Sequence, residues 1–454
     1  MEPLPYVSTT NACKLCGPLG ACLAFRGVEG AVPMLHGSQG CATYMRRYII
    51  SHFREPMDIA SSALGEKHAV YGGGANLKQG LKNVMTKFGA RLIGIATTCL
   101  TETIGEDVPM IVEEFRREIR RKGGEEPPAF VSVRTPSYSG THMEGFHGAV
   151  RAVVEQLAGE GHAARMLNLL PGFLSPEDLR HLKEILAAFR CAATILPDIS
   201  MTLDGPALDD YPKIPGGGTP IEDIWRMGGA GATFELGRTL HGDPQSTGKL
   251  LKERFEVALH SMGVPIGLRE TDTFFGALEQ LTGMERSPRF AMERGRLVDS
   301  YVDAHKYLFG KRAVVYGEED LAVGLTAFLA EVGITPVLCA TGGRSGRFRS
   351  AVEQVTADIL PEAPAVGEGM DFRQIEEQAE ILSPDIMIGH SKGYSIARKL
   401  GIPLVRVGFP IHDRFGGQRT LHVGYRGTQS LLDRIVNGLI EGNQNNSPVG
   451  YGYM

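Results

Sequence analysis

RLIGIATTCLTETIGEDVPMIVEEFRREIRRK, residues 91–122, joins a short uninterrupted apolar run to a Thr/Cys turn and then to a charged amphipathic segment. Residues 91–99 have the length and apolarity of a strand buried on both faces, and 108–122 repeat apolar residues at helical spacing. A strand of that kind belongs to a parallel sheet covered by helices. Its carboxyl end, here at Cys99, is where open α/β sheets bind ligands. The same alternation recurs outward from this unit. Strands are predicted at 128–137, 165–172, 191–198, 231–237, 311–320, 335–343, 384–393 and 403–410, and a helix at 345–355. SPEDLRHLKEILAAF (175–189) opens with a Ser N-cap, Pro at the first position and acids in the first turn, which predicts a further helix. The implied fold class is α/β, with three Rossmann-like, doubly wound domains and mostly parallel sheets. The expected domains are 1–160, 161–310 and 311–454. The first ends in the breaker LAGEGHAAR, and YPKIPGGGTP (211–220) is a loop inside the second. The tail NQNNSPVGYGYM is expected to be weakly ordered or docked on a partner.

Bulk properties narrow the function classes. A chain of 454 residues exceeds one hydrophobic core. Apolar content of 43% and charged content of 22% are those of a soluble globular protein. A formal net charge of −5 gives no electrostatic case for nucleic acid or an anionic membrane. No apolar run reaches the length of a membrane span, and MEPLPYVSTTNACK has neither a basic start nor an apolar h-region. The seven cysteines, an odd number without a secretion signal, predict reduced thiols and a cytoplasmic location. The 58 glycines fit many βα turns and close backbone approaches.

Three cysteines sit in Gly-, Ser- or Thr-rich turns: Cys16 in KLCGPLGA, Cys41 in HGSQGC and Cys99 in IATTCLTETIGEDV. Four thiolates complete the usual ligand set of an iron–sulfur cubane, so three from one chain imply a further set from another chain. Cys41 is expected to open the helix CATYMRRYIISHF, and Cys16 lies in a turn before Pro18. Free cysteines more often end as buried structural residues, and spacing alone leaves that reading open. Cys13 and Cys16 form a CxxC, but no thioredoxin-like strand precedes it, and zinc would want a second close pair. Cys22, Cys191 and Cys339 read as core.

The words around these cysteines form an ordered series. GPLGACLAFRGVEGAVPMLHGSQGC is followed by HFREPMDIASS, AVYGGGANLKQGL, TTCLTETIGED and TPSYSGTHMEGF. DIMIGHSKG and RVGFPIHDRFGG close it near the C-terminus. The series resembles the β-type subunit of nitrogenase component 1 and its relatives, over nearly the whole chain. That resemblance implies the nitrogenase component 1 fold of three Rossmann-like domains. It implies that Cys16, Cys41 and Cys99 ligate a P-cluster, an 8Fe-7S iron–sulfur cluster shared with an α-like subunit in an α2β2 heterotetramer. It also implies Ser137 as a ligand of the oxidised cluster only, although a serine there otherwise reads as a turn or cap residue. Ser38 would lie next to the cluster thiolates. Tyr44, one helical turn after Cys41, would lie on the electron path. Tyr71 would lie on the surface that docks an ATP-dependent 4Fe-4S reductase protein.

Other polar residues carry blander expectations. His36 is expected to shape the cluster pocket or to be a hydrogen-bonded core residue, and His390 and His412 to be structural. The β-type family commonly has an aromatic at the His412 position. Glu102, Glu106 and Asp107 are expected to cap the helix after Cys99. GGAGATFELGRTL (228–240) has no cysteine where α-type subunits hold the catalytic iron–sulfur cofactor, so that cofactor is expected in the partner chain. No Walker A sequence is present, so ATP hydrolysis is expected elsewhere. Three branches compete. A complete thiolate set argues against the N-type subunit of the cofactor-assembly scaffold. ILPDISMTLDGP (195–206) and GGGTPIEDI (216–224) look like scaffold words, and the long N-terminal extension of the molybdenum-type β subunit is absent. The combination favours a nitrogenase-like reductase such as methylthio-alkane reductase, ahead of the scaffold subunit and of a dinitrogen-reducing β subunit. Outside this class, a non-redox structural subunit of a heteromer or a nucleotide-binding dehydrogenase would explain the domains, but no GxGxxG follows the first strands.

Overall fold

A computed structural model describes residues 13–121, 127–161 and 163–449. Three parallel sheets follow one another along the chain. The first is built from β1 (Ala31–His36), β2 (Ala60–Ser61), β3 (Leu92–Thr97) and β4 (Ala129–Val133), in the order β2-β1-β3-β4. The second uses β5 (Ala163–Leu170), β6 (Ala193–Ile195), β7 (Ala230–Leu236) and β8 (Ala258–Met262), in the order β6-β5-β7-β8. The third uses β9 (Arg312–Gly317), β10 (Thr335–Thr341), β11 (Ala365–Gly367), β12 (Ile386–Gly389) and β13 (Leu404–Arg406), in the order β11-β10-β9-β12-β13. Every pairing among the described strands is parallel. In each sheet the chain winds first to one side of its opening strand and then to the other, as doubly wound folds do.

The strands are apolar because both sheet faces are covered. One large core joins residues of all three sheets, and smaller cores close the outer faces of the first and third sheets. β1 and β3, at the centre of the first sheet, are buried along their whole length. The predicted helix at 175 forms as Pro176–Ala188, with Ser175 Oγ accepting from Asp178 N at 3.0 Å. Asp178 is itself buried and accepts from the backbone N–H of His422 at 2.7 Å and of Val423 at 3.1 Å, so one cap also ties the C-terminal segment to the second sheet.

Four strands escaped the sequence reading: β1, β2, β8 and β11. In β1 the proline at position 33 argues against a central strand. It is accommodated because β2 pairs only with Met34 and Leu35 and does not reach it. Segment 211–220 is a loop as expected, held by a bridge between Val28 and Thr219. The last helix, Gly424–Asn446, takes up the first residues of the expected tail, and 450–454 lie outside the described residues. No described helix is long and apolar enough to cross a membrane.

Candidate metal centre

Cys41 and Cys99 follow the two strands that flank the switch point of the first sheet, where β1 and β3 lie side by side and their connections leave in opposite directions, and Cys16 lies within electrostatic reach of both. Among the described residues no group of three or more His, Cys, Asp or Glu side chains is set to bind a single metal ion. Cys41 follows β1, three residues beyond the Ser38 N-cap of the helix Gln39–Phe53. That helix starts two residues earlier than expected, so Cys41 lies inside its first turn. Cys99 follows β3 and is the first residue of the helix Cys99–Ile104. Cys16 caps the helix Gly17–Arg26, with Pro18 in its first turn. All three thiols are half-buried.

Short polar residues fix this arrangement. The two threonines before Cys99 tie it to both neighbouring strands. Thr98 donates to the His36 carbonyl at the end of β1, from N at 3.2 Å and from Oγ1 at 3.1 Å. Thr97 serves the β4 side: its Oγ1 accepts from Thr135 N at 2.9 Å, and its carbonyl accepts from Thr135 Oγ1 at 2.7 Å. Gly37 is required by the same junction, since a Cβ there would fall 2.4 Å from the Thr98 side chain. The helix bearing Cys16 is placed by backbone-to-backbone packing on the helix His142–Leu157. A Cβ on Gly20 would fall 1.6 Å from the His142 carbonyl oxygen, and one on Gly145 would fall 1.9 Å from the Gly17 carbonyl oxygen.

The sulfurs are supplied with hydrogen-bond donors. Ser38 Oγ donates to Cys41 Sγ at 3.5 Å, and the Ser137 backbone N–H donates to Cys99 Sγ at 3.3 Å. Ser137 Oγ accepts from Gly17 N at 3.2 Å and contacts the Cys16 thiol. Burial pushes the Cys16 thiol above its ordinary value. Ser137 opposes that rise, while the charges of Cys99 and Cys41 add to it. A thiolate at Cys16 would therefore meet negative charge from Cys41 and Cys99, and a cationic group beside it would relieve that. The donor set, three thiols with N–H and O–H donors aimed at them, fits an iron–sulfur cluster that a second chain completes.

The neighbouring residues sort themselves. Tyr44 is half-exposed, and its hydroxyl is held above its usual value by burial first and by the Cys16 charge second. Tyr71 ends the short helix Glu66–Tyr71 and is 87% exposed; that helix packs against the one opened by Cys99. His36 is a core residue, bonded through Nδ1 to Ser62 Oγ at 2.9 Å and facing Glu106 at 3.5 Å. The three acids divide. Asp107 Oδ1 accepts from Met110 N and so caps the following helix Val108–Arg121. Glu102 pairs with Arg134 at 2.5 Å. Glu106 caps nothing after Cys99: it accepts from Gly73 N and braces His36.

Cys22 and Cys339 are core, as expected. Cys191 is not: it is partly exposed in the turn before β6, because its strand begins only at Ala193. Cys13 is buried, and burial pushes its thiol up to about 12. It faces His390 rather than pairing with Cys16. His412 accepts a place beneath Tyr48, with Nε2 3.2 Å from the Tyr48 carbonyl and ring centroids 4.6 Å apart. The sequence reading missed Thr97, Thr98 and Thr135, the Gly20–Gly145 contact, and Lys392, whose ammonium acts on both Cys13 and Cys16.

Three successive doubly wound parallel sheets, with half-buried cysteines after the central strands of the first, define the class of protein by its fold. Residues 16–440 match the nitrogenase component 1 type oxidoreductase family, and the chain belongs to that family. Within it the similarity is to β chains. The chain is 38% identical to the nitrogenase molybdenum-iron protein β chain of Methanothermobacter thermautotrophicus, covering 95% of this chain and 94% of that one. It is 34% identical to the nitrogenase vanadium-iron protein β chain of Trichormus variabilis, covering 94% and 93%. A chain of the solved structure of nitrogenase Cp1 at pH 6.5 matches with a TM-score of 0.94 and 32% identity, over 100% of this chain and 98% of that one. The chain is thus a β-type oxidoreductase subunit with the nitrogenase component 1 fold.

Proposed function

We propose that this chain is the β-like subunit of a nitrogenase-like reductase, and that Cys16, Cys41 and Cys99 hold half of an interfacial P-cluster-type 8Fe-7S cluster. The observation that carries this reading is that three half-buried thiols, two of them acting electrostatically on the third, each have a serine partner: Ser38 for Cys41, the Ser137 amide for Cys99 and the Ser137 side chain for Cys16. When bound, such a cluster stores and passes single electrons, because its charge spreads over many irons and sulfides. The chain's own residues do the rest. Ser38 and the Ser137 amide donate to thiolate sulfur, and Ser137 Oγ stands beside Cys16 as the conditional ligand of an oxidised cluster. Tyr44 lies against the Cys16 charge on the proposed electron path. Tyr71 and Val70 present an exposed apolar step suited to docking the ATP-dependent 4Fe-4S reductase. An α-like subunit completes the cluster in an α2β2 heterotetramer and carries the catalytic iron–sulfur cofactor. In support, the segment 228–240 around β7, which corresponds to where α-type chains hold that cofactor, has no cysteine, and Thr239 N donates to Asp320 in the turn that follows. The three sheets are proposed to mark domains 1–160, 161–310 and 311–454. Seven unpaired cysteines support a reduced, cytoplasmic setting.

Methylthio-alkane reduction is the substrate reading that the sequence words favour. Dinitrogen reduction is the second, and the relatives favour it. Coverage of 94% of a molybdenum-iron β chain removes the missing extension as an argument against it. Among the described residues, none of the hydrogen bonds to the three thiols comes from the scaffold-like words 195–206 and 216–224. They join the second sheet to the first, with Thr219 Oγ1 donating to the carbonyls of Gly27 and Ile195 at 3.0 and 2.5 Å.

The test is the purified complex with its α-like partner and reductase. Cys41→Ala and Cys99→Ala should each lower iron per heteromer and abolish the cluster's paramagnetic signal, with the heteromer still assembled. Unchanged iron and signal would refute the reading. Assays of the wild-type complex on dinitrogen and on a thioether then separate the two substrates.

A further inference from the structure

The switch points of two sheets meet at the thiols. Cys16 stands at that of the first sheet, and the 3-10 turn Ser391–Gly393 follows β12 at that of the third, where β9 and β12 lie side by side. Two side chains of this turn region reach back to the cysteines. His390 Nε2 lies 3.9 Å from Cys13 Sγ. Lys392 is half-buried, with Nζ 5.6 Å above the centroid of the Tyr48 ring and its charge acting on both Cys13 and Cys16. Tyr48 belongs to the helix that carries Cys41. It packs against Tyr44 at 5.5 Å and His412 at 4.6 Å, so Lys392 rests on an aromatic floor continuous with the thiol site.

The imidazoles of this cleft do not share the positive charge. His142, His390 and His412 are all held below the ordinary histidine range, first by burial and further by the charge of Lys392 itself. Arg54 also acts on His412, and Lys14 on Cys16, but Lys14 is exposed and screened by water. Lys392 is the cation that the fold brings in from another sheet and places against the aromatic floor.

We propose that Lys392 is a fixed positive charge on the Cys16 side of the thiol site and that it raises the reduction potential of the bound cluster. This rests on the cluster reading above. The step involved is the addition of one electron, supplied by the 4Fe-4S reductase. Burial lowers the Lys392 ammonium and the charges of Cys13 and Cys16 oppose that lowering, so negative charge on the thiol side favours its protonated form; no bond is made or broken at Lys392. The added negative charge is attracted to the ammonium, so the reduced state is the one stabilised.

The test is a mediated redox titration of the heteromeric complex, read from the cluster's paramagnetic signal, with iron measured in parallel. Lys392→Met should retain the cluster and shift its midpoint to more negative potential. The expected size is on the order of tenfold in the ratio of reduced to oxidised cluster, about 59 mV for a one-electron step. Lys392→Arg should stay close to wild type, and Lys14→Met should shift less than Lys392→Met. The midpoint is read from whatever fraction holds iron, so partial loading does not hide the result. An unchanged or more positive midpoint in Lys392→Met, or an equal shift in Lys14→Met, would overturn the proposal. Absence of a cluster from the wild-type complex would refute instead the reading beneath it.

Discussion

Thr97 is a single hydroxyl between two strands, and it shows how the thiol site is held. It accepts from the buried Thr135 amide at 2.9 Å and also contacts the Glu102 carboxyl. Burial alone would raise that carboxyl, but Arg134 and Thr97 together hold it below its ordinary value. Thr97→Val keeps the shape and removes the acceptor, stranding the Thr135 N–H. The expected cost is about 1–3 kcal/mol in denaturant unfolding of the complex, with lower iron retention, and Thr97→Ser should recover most of both. The cysteines themselves were legible in the sequence because each has Gly, Ser or Thr residues beside it: Gly17 after Cys16, Gly40 before Cys41 and Thr98 before Cys99. The threonine ties were not, because Thr97 and Thr135 lie 38 residues apart and only the register of β3 on β4 brings them together. Lys392 was illegible for the same reason over a far longer span.

Among elements, the contact of Gly17–Arg26 with His142–Leu157 decides where Cys16 stands. Gly145 has no room for a side chain, because its Cβ would overlap the Gly17 carbonyl, one residue from Cys16. Gly145→Ala should therefore separate the two helices, cost upwards of about 1–3 kcal/mol, and lower iron per heteromer. Gly148, on the same helix, is the contrast. Its Cβ would meet only Val133 and Gln245 at 3.5 and 3.9 Å, so Gly148→Ala should leave iron intact and leave stability equal or higher by about 0.5–1 kcal/mol. Equal iron loss in both variants would contradict the packing account. The long strands were readable because covered faces demand continuous apolar runs. The missed ones are short or carry a contrary signal: β2 and β11 have two and three residues, β8 alternates in exposure, and β1 contains Pro33.

For the whole molecule, three sheets converge on a cavity of about 50 Å³ lined by Glu144, Asp243, Glu318, Glu319 and Asp320. Burial raises the carboxyl of Glu318 to about 8, of Glu319 to about 7 and of Asp320 to about 6. A carboxyl raised in the folded state keeps its proton after the unfolded chain has lost it. Stability therefore falls as pH rises from the ordinary value of 4.5 through about 7 for Glu319. Glu319→Gln should flatten that slope and make the complex more stable than wild type near pH 8, by up to about 3 kcal/mol in chemical denaturation. A slope unaltered by the substitution would place the pH dependence elsewhere.

The central claim is that Cys16, Cys41 and Cys99 hold iron at the edge shared with a second chain. Anomalous diffraction at the iron edge, from crystals of the purified complex, tests it most directly. The account predicts a compact group of iron peaks bonded to all three sulfurs and completed by thiolates of the α-like subunit. Three free thiols with no iron between them, in a complex that holds iron elsewhere, would contradict it.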